Sequence, residues 1–172
     1  MRDAPNNRFP THFRDFIEEL NRNEVEYMLI GGYAMGAFGH HRGTGDLDIF
    51  INATDDNAER LLQASVNYGI PVESVNKEMF VVPKMVGIGN PPLRIELIKK
   101  LDTVDFEYAY QRSSIRKLDD LEINIISLED LILLKRAASI GRSKARDLED
   151  LSFLEKLRAK LFPKGRDGEK EG

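Results

Sequence analysis

Residues 25–51 constrain this chain more than any other stretch. The run from Val25 to Ile30 is apolar and β-branched enough to form a buried strand, and Gly31-Gly32 stops it. Residues 33–40 then read as a short helix of small and apolar side chains. A polar loop leads into residues 46–51, where acidic and apolar residues alternate. Successive side chains of a strand point to opposite faces. Leu47, Ile49 and Ile51 are therefore expected in a core, with Asp46 and Asp48 on the other face. Alternate residues lie about 6.6 Å apart along a strand. Two carboxylates so placed repel one another unless a cation joins them, and they can share one metal or clamp two ions about 3.5–4 Å apart. Hard oxygen ligands, without imidazole or thiolate in the pattern, select Mg²⁺ or Mn²⁺ over zinc.

An isolated Asp-x-Asp is usually a solvated strand face. Gly31-Gly32, between a buried strand and a helix, changes the weighing, because absent side chains let a phosphate approach backbone N–H groups. Composition points the same way. The chain of 172 residues has no cysteine, no tryptophan and three histidines, against 29 Asp and Glu. Disulfide scaffolds, thiolate zinc sites and cysteine nucleophiles are excluded, and carboxylates are the richest source of catalytic groups. A cysteine-free chain fits a cytoplasmic location. No stretch reaches the roughly 18 apolar residues of a membrane span, and the polar first residues do not read as a signal peptide. The acidic balance lies in the N-terminal two-thirds, whereas the C-terminal third is weakly basic.

Elsewhere the pattern predicts helices and strands in alternation. Phe13, Phe16, Ile17 and Leu20 form an apolar stripe on a helix over 11–22, and the stripe reads as core. Thr54 is positioned to cap a helix over 55–68 that buries Ala58, Leu61, Leu62 and Val66 and stops at Gly69. Strands are expected over 80–86, 93–98, 114–118 and 122–126. Ser127 and Asp130 form a capping box for a helix to about Ile140. Gly141 breaks it, and a last helix spans 143–161 through Leu148, Leu151, Leu154 and Leu157. The expected fold is α+β (α/β), a mixed sheet flanked by helices. A catalytic core over 1–126 would carry C-terminal helices over 127–162 in the same domain, with a disordered tail over 163–172.

The pattern of an apolar strand, Gly31-Gly32, a short spacer and Asp46-Leu47-Asp48-Ile49 resembles the signature of the DNA-polymerase-β-like nucleotidyltransferases. The Arg42-x-Thr44-x-Asp46 lead-in and the helix start at Asp55-Asp56-Asn57 resemble the small bacterial branch, with minimal and AbiEii-type members among its relatives. The likeness extends to residues 93–98, where relatives often supply a third carboxylate as Asp and this chain offers Glu96. It extends also to residues 126–151, where Lys135 stands at the position that faces the triphosphate. The resemblance implies transfer of an NMP from an NTP to an acceptor hydroxyl. Asp46, Asp48 and Glu96 would be the catalytic, metal-holding residues for two Mg²⁺ or Mn²⁺ ions. Gly31, Gly32, Arg42, Thr44 and Lys135 would bind the nucleotide. A transfer-RNA end, a protein hydroxyl or a small molecule could be the acceptor, in a setting of toxin–antitoxin pairs or phage defence, with a protein partner or a homodimer. The alternative is a non-catalytic nucleotide-binding or partner-regulating module.

Other groups carry less. The adjacent His40 and His41 rings diverge and would not chelate one metal. Asp102, Asp105 and Glu107 read as a solvated turn. Gly87-Ile88-Gly89 lacks the third glycine of a dinucleotide fingerprint. The basic residues Lys135, Arg136, Arg142, Lys144 and Arg146 read either as a solvated face or as a triphosphate contact. Arg146 and Asp150, four residues apart, read as a surface ion pair.

Overall fold

The computed structural model describes residues 9–140 and 145–164. It opens with α1 (Thr11–Arg22), whose stripe of Phe13, Phe16, Ile17 and Leu20 is fully buried as the spacing requires. β1 (Tyr27–Ile30) follows and is buried throughout. The short helix starts earlier than expected: α2 (Gly31–Ala37) includes both glycines, so the strand passes directly into the helix. β2 (Leu47–Ile51) begins one residue late, leaving Asp46 in the bend before it. α3 (Asp55–Tyr68) is capped by Thr54, whose Oγ1 accepts from the Asn57 N–H at 3.3 Å, and ends at left-handed Gly69. It buries Ala58 and Leu61 as expected. Leu62 and Val66 are only half-buried, with Ala64 and Ser65 in the interior instead.

The strand expected over 80–86 is displaced. Phe80 ends a 3-10 turn, Lys77–Phe80, and enters the core from there. β3 (Met85–Ile88) starts only after Pro83, which cannot donate to a sheet ladder. β4 (Ile95–Ile98) is shorter than its expected span, and Leu93 stays partly exposed. Phe106–Arg112 forms a helix, α4, where only a turn was expected; the Asp105 carboxylate caps it by accepting from the Tyr108 N–H. β5 (Ser114–Leu118) and β6 (Leu121–Ile125) form the hairpin that follows. α5 (Leu128–Ile140) opens on the expected capping box: the Asp130 N–H donates to Ser127 Oγ at 3.2 Å, and the Ser127 hydroxyl donates to the Asp130 carboxylate at 2.8 Å. α6 (Ala145–Leu161) packs on α5 and buries Leu154. Leu151 and Leu157 are half-buried, and Leu148 is largely exposed. Gly141, the start of the last helix at 143 and most of the tail lie outside the described residues.

The six strands make one sheet in the order β3-β4-β2-β1-β6-β5. β1 runs antiparallel to β2, and the β2–β4 and β1–β6 pairs are parallel, so the sheet is mixed, as expected. Side chains from every strand except β3 and β5 join one buried cluster with α1, α3, α5 and Leu154 of α6. The central pair matters most for the site. Its register sets Asp48 beside Ile30, the last residue of β1, and beside Glu96 on β4.

Candidate active site

Two carboxylates meet where β2 lies beside β4, with a third, Asp46, in the bend just before β2. Asp48 and Glu96 are direct cross-strand partners, and each is half-buried while its apolar neighbours Leu47, Ile49, Ile95 and Leu97 are buried. The alternation read from the sequence thus holds for both strands. Burial is the largest influence on Asp48. Together with the charge and hydrogen bond of Glu96, and the charge of Asp46, it pushes the Asp48 carboxyl up to about 7; Lys135 acts in the opposite direction. Arg94, two residues before Glu96 on the same face, approaches it at 3.3 Å. The Arg94 guanidinium lies in space that a side chain on Gly87 would fill, so a glycine discarded as a nucleotide fingerprint makes room for this pair.

The Gly31-Gly32 pair is shaped by what packs against it. Gly31 sits at φ +70°, a conformation side chains disfavour, and a Cβ there would collide with the Asp48 carboxylate. A Cβ on Gly32 would collide with the Thr44 side chain and come within 3.3 Å of Arg42 Nη1. One glycine therefore yields its space to an acidic residue, and the other to a hydroxyl and a guanidinium. A cavity of about 460 Å³ opens beside Gly32, Arg42 and Thr44 and continues toward Tyr33, His41 and Leu118.

The cationic side of the site centres on a residue that reading the sequence placed at the surface. Asp150 is 0% exposed. Arg42 grips it through Nε at 2.8 Å and Nη2 at 2.6 Å, Lys135 Nζ reaches it at 2.8 Å and His40 Nε2 at 3.4 Å. Burial pushes the Asp150 carboxyl up, but hydrogen bonds from Arg42 and Lys135 outweigh it and hold the group below its ordinary range. Arg146 is exposed, and the expected surface pair with Asp150 does not form among the described residues. The basic run is not a bare cationic face either. Lys135 also meets Asp147 at 3.5 Å, and Arg136 pairs with Glu155 at 3.0 Å; Arg142 and Lys144 lie outside the described residues.

The donors on the inner strands β2 and β4 suit a hard divalent cation. Asp48 and Glu96 present carboxylate oxygens to one another in a partly buried place, where their repulsion is relieved only by a proton or a cation. Asp46 lies within electrostatic reach, although its bend holds it outside the strand ladder. Among the described residues no group of three such side chains encloses an ion-sized space as placed. The structure thus brings Asp48 to Glu96, Gly31 to Asp48, and Gly32 to Thr44 and Arg42. Lys135 is within electrostatic range of Asp48.

A family profile described as nucleotidyl transferase AbiEii toxin, Type IV TA system, matches residues 16–165. The chain belongs to this AbiEii nucleotidyltransferase family. Three solved structures share the AbiEii chain's fold. The lincosamide antibiotic adenylyltransferase LnuA, bound to lincomycin, is 17% identical with a TM-score of 0.55, covering 88% of this chain and 99% of its own. JHP933 from Helicobacter pylori is 20% identical with a TM-score of 0.52, covering 88% of this chain and 66% of its own. An antigenic nucleotidyltransferase-like protein from Paracoccidioides brasiliensis is 14% identical with a TM-score of 0.50, covering 86% of this chain and 75% of its own. At these identities the likeness is one of fold. No curated protein matches the chain. No helix among the described residues is long and apolar enough to cross a membrane.

Three functional candidates escaped the sequence reading. Asp150 and Asp147 stand three residues apart on α6, and the signal available was an acidic pair sharing a helix face with Leu154. His40, set aside beside His41, stacks within 4.5 Å of Phe153 and reaches the same carboxylate.

Proposed function

We propose that this AbiEii-family protein moves a nucleoside monophosphate from an NTP to an acceptor hydroxyl, with Asp46, Asp48 and Glu96 holding two Mg²⁺ (or Mn²⁺) ions. The observation that carries this reading is the Asp48–Glu96 pair set against the side-chain-free turn at Gly31. Bound there, the ions would neutralise the triphosphate and ease ionisation of the acceptor hydroxyl. Gly31 and Gly32 leave the room that lets Asp48, Thr44 and Arg42 close in on the strand–helix junction, and Thr44, Arg42 and Lys135 would supply donors to the phosphates. The acceptor oxygen forms a bond to the α-phosphorus. The bond from that phosphorus to the bridging oxygen breaks, and pyrophosphate leaves with its electron pair. Glu96, the cross-strand partner of Asp48, would take the hydroxyl proton.

A transfer-RNA end, a protein hydroxyl or a small molecule each presents the required group. The structural relative LnuA is itself named for an antibiotic substrate. A pI of about 5.5 disfavours tight, sequence-independent RNA binding, which rests on phosphate neutralisation, so an RNA acceptor would be met by a local contact through residues 135–146. The family description names a toxin of a Type IV TA system, which supports a toxin–antitoxin setting for the reaction; a cytoplasmic location and a protein partner or second copy are part of the same proposal.

The test supplies each of the four NTPs, labelled at the α-phosphate, with Mg²⁺ and a cell extract, and measures pyrophosphate release and the labelled product. Label should reach an acceptor, and EDTA, Asp46→Asn and Asp48→Asn should each abolish the transfer. Transfer that survives both substitutions would sink the two-metal reading. Mg²⁺-dependent NTP binding without any transfer would instead make the protein a nucleotide-binding module.

A further inference from the structure

We infer that Asp150 is a positioning residue: from α6 it sets the orientation of Arg42 and Lys135, the two cations that meet the triphosphate. The inference rests on the nucleotidyl-transfer reading above and assigns to α6 a part in that site. Two separate stretches converge on this one α6 carboxylate, namely the loop bearing His40 and Arg42 and the helix bearing Lys135.

The contacts are directional. A guanidinium held through Nε and Nη2 by both oxygens of one carboxylate has its plane fixed. That grip leaves Nη1 as the remaining nitrogen, 3.2 Å from the Gly43 carbonyl oxygen and over the space beside Gly32. Arg42 therefore presents one edge to the protein and the other to the cavity it lines with Gly32 and Thr44. Lys135 has three donors: Asp150 takes one, Asp147 approaches a second at 3.5 Å, and its charge still acts on Asp48. A lysine on a flexible four-carbon stem would otherwise spread over many rotamers. Held at Nζ by Asp150 and Asp147, it is kept within electrostatic range of Asp48.

The alternatives differ in their consequences. A purely structural anion would stabilise the fold without affecting how the folded protein binds phosphate. An internal anion occupying the phosphate's own place would compete with it, and its removal would tighten binding. Positioning predicts the opposite.

The experiment measures binding of Mg²⁺-tripolyphosphate, which lacks base and sugar, by calorimetry, together with the KM and kcat of NTP turnover, at a temperature where each variant is folded. Asp150→Asn should weaken tripolyphosphate binding on the order of tenfold or more, the scale of a misaligned charge-assisted contact. KM for the NTP should rise more than kcat falls, and Asp150→Glu should recover part of the loss. Arg42→Lys keeps the charge but loses the fork, so it should weaken binding alone and add little to Asp150→Asn. It also reads the proposal should Asp150→Asn fail to fold. Leu154→Ala, on the same helix and equally buried, should lower the melting temperature and leave the affinity of the folded protein unchanged. Equal or tighter tripolyphosphate binding by Asp150→Asn, or full additivity with Arg42→Lys, overturns the assignment. Wild-type protein that binds neither tripolyphosphate nor any NTP overturns the nucleotidyl-transfer reading itself, and this inference with it.

Discussion

Any Cβ at position 31 falls on the Asp48 carboxylate, and the backbone there is left-handed, so Gly31→Ala meets two separate costs. Strained backbone and overpacking each cost about 1–3 kcal/mol. The less obvious consequence is chemical, because the clash is relieved by moving Asp48 away from Glu96. Gly31→Ala should therefore lose more than about tenfold in NTP turnover, since catalysis depends on placement to within about 1 Å. Native turnover alongside an unchanged thermal midpoint would show that Asp48 does not depend on this glycine. Asp48 itself makes a pH prediction. Its carboxyl titrates near 7 in the fold, against about 4 in an unfolded chain, so the folded state holds the proton more tightly. The stability this gives is complete below about pH 4 and is lost as pH rises through about 7. Metal-free protein should melt at a lower temperature at pH 8 than at pH 5.5, and Asp48→Asn, which cannot ionise, should flatten that difference. Parallel curves for the two proteins would show that Asp48 ionises freely.

Asn57 shows how single side chains join the elements around the site. It is 1% exposed. Its amide donates to the carbonyl oxygens of Glu26 and Asn52 at 3.0 and 2.8 Å, and its Oδ1 accepts from the Glu26 N–H at 2.8 Å. The first turn of α3 is thereby tied to the start of β1 and the end of β2. Asn57→Ala takes the side-chain partner from the part-buried Glu26 N–H and Asn52 carbonyl and should cost about 1–3 kcal/mol in urea unfolding with an unchanged slope. A loss under about 0.5 kcal/mol would mean that water replaces the amide. Elements with a repeating apolar pattern, such as α1, were legible because periodicity is a burial signal. α4 was not, since only Phe106 and Ala109 of its seven residues are buried and its acidic start resembles a turn. The strand over 80–86 was misplaced because Phe80 and the two valines read as a ladder, whereas Pro83 forbids one. At the site, Asp48 and Glu96 could be read from alternation within each strand, but Asp150 could not. Its partners, Arg42 and Lys135, lie 108 and 15 residues away, and only the tertiary fold brings them together.

Across the sheet and the two C-terminal helices, Asp48 faces another carboxylate while the cations gathered at Asp150 are held in ion pairs. Arg42 and Lys135 are matched by Asp150 and Asp147, and Arg136 by Glu155. Asp48 and Glu96 have one another, with Arg94 on the outer side and Lys135 at longer range. A ligand that brings positive charge to those carboxylates relieves them, and acceptor oxygens on the same ligand meet the donors beside Gly32; a metal–triphosphate complex offers both. Such a ligand binds the folded state alone, so it must raise the thermal midpoint. At about ten times its Kd it contributes about 1.4 kcal/mol, or about 3–6 °C for a chain of this size. The rise should appear with Mg²⁺ and NTP together at pH 8 and disappear with EDTA or in Asp48→Asn. It should shrink at pH 5.5, where the proton on Asp48 competes with the cation. An equal rise with NTP in EDTA would place the nucleotide away from the carboxylates, and a rise that grows toward acid pH would mean that the cation does not displace the Asp48 proton.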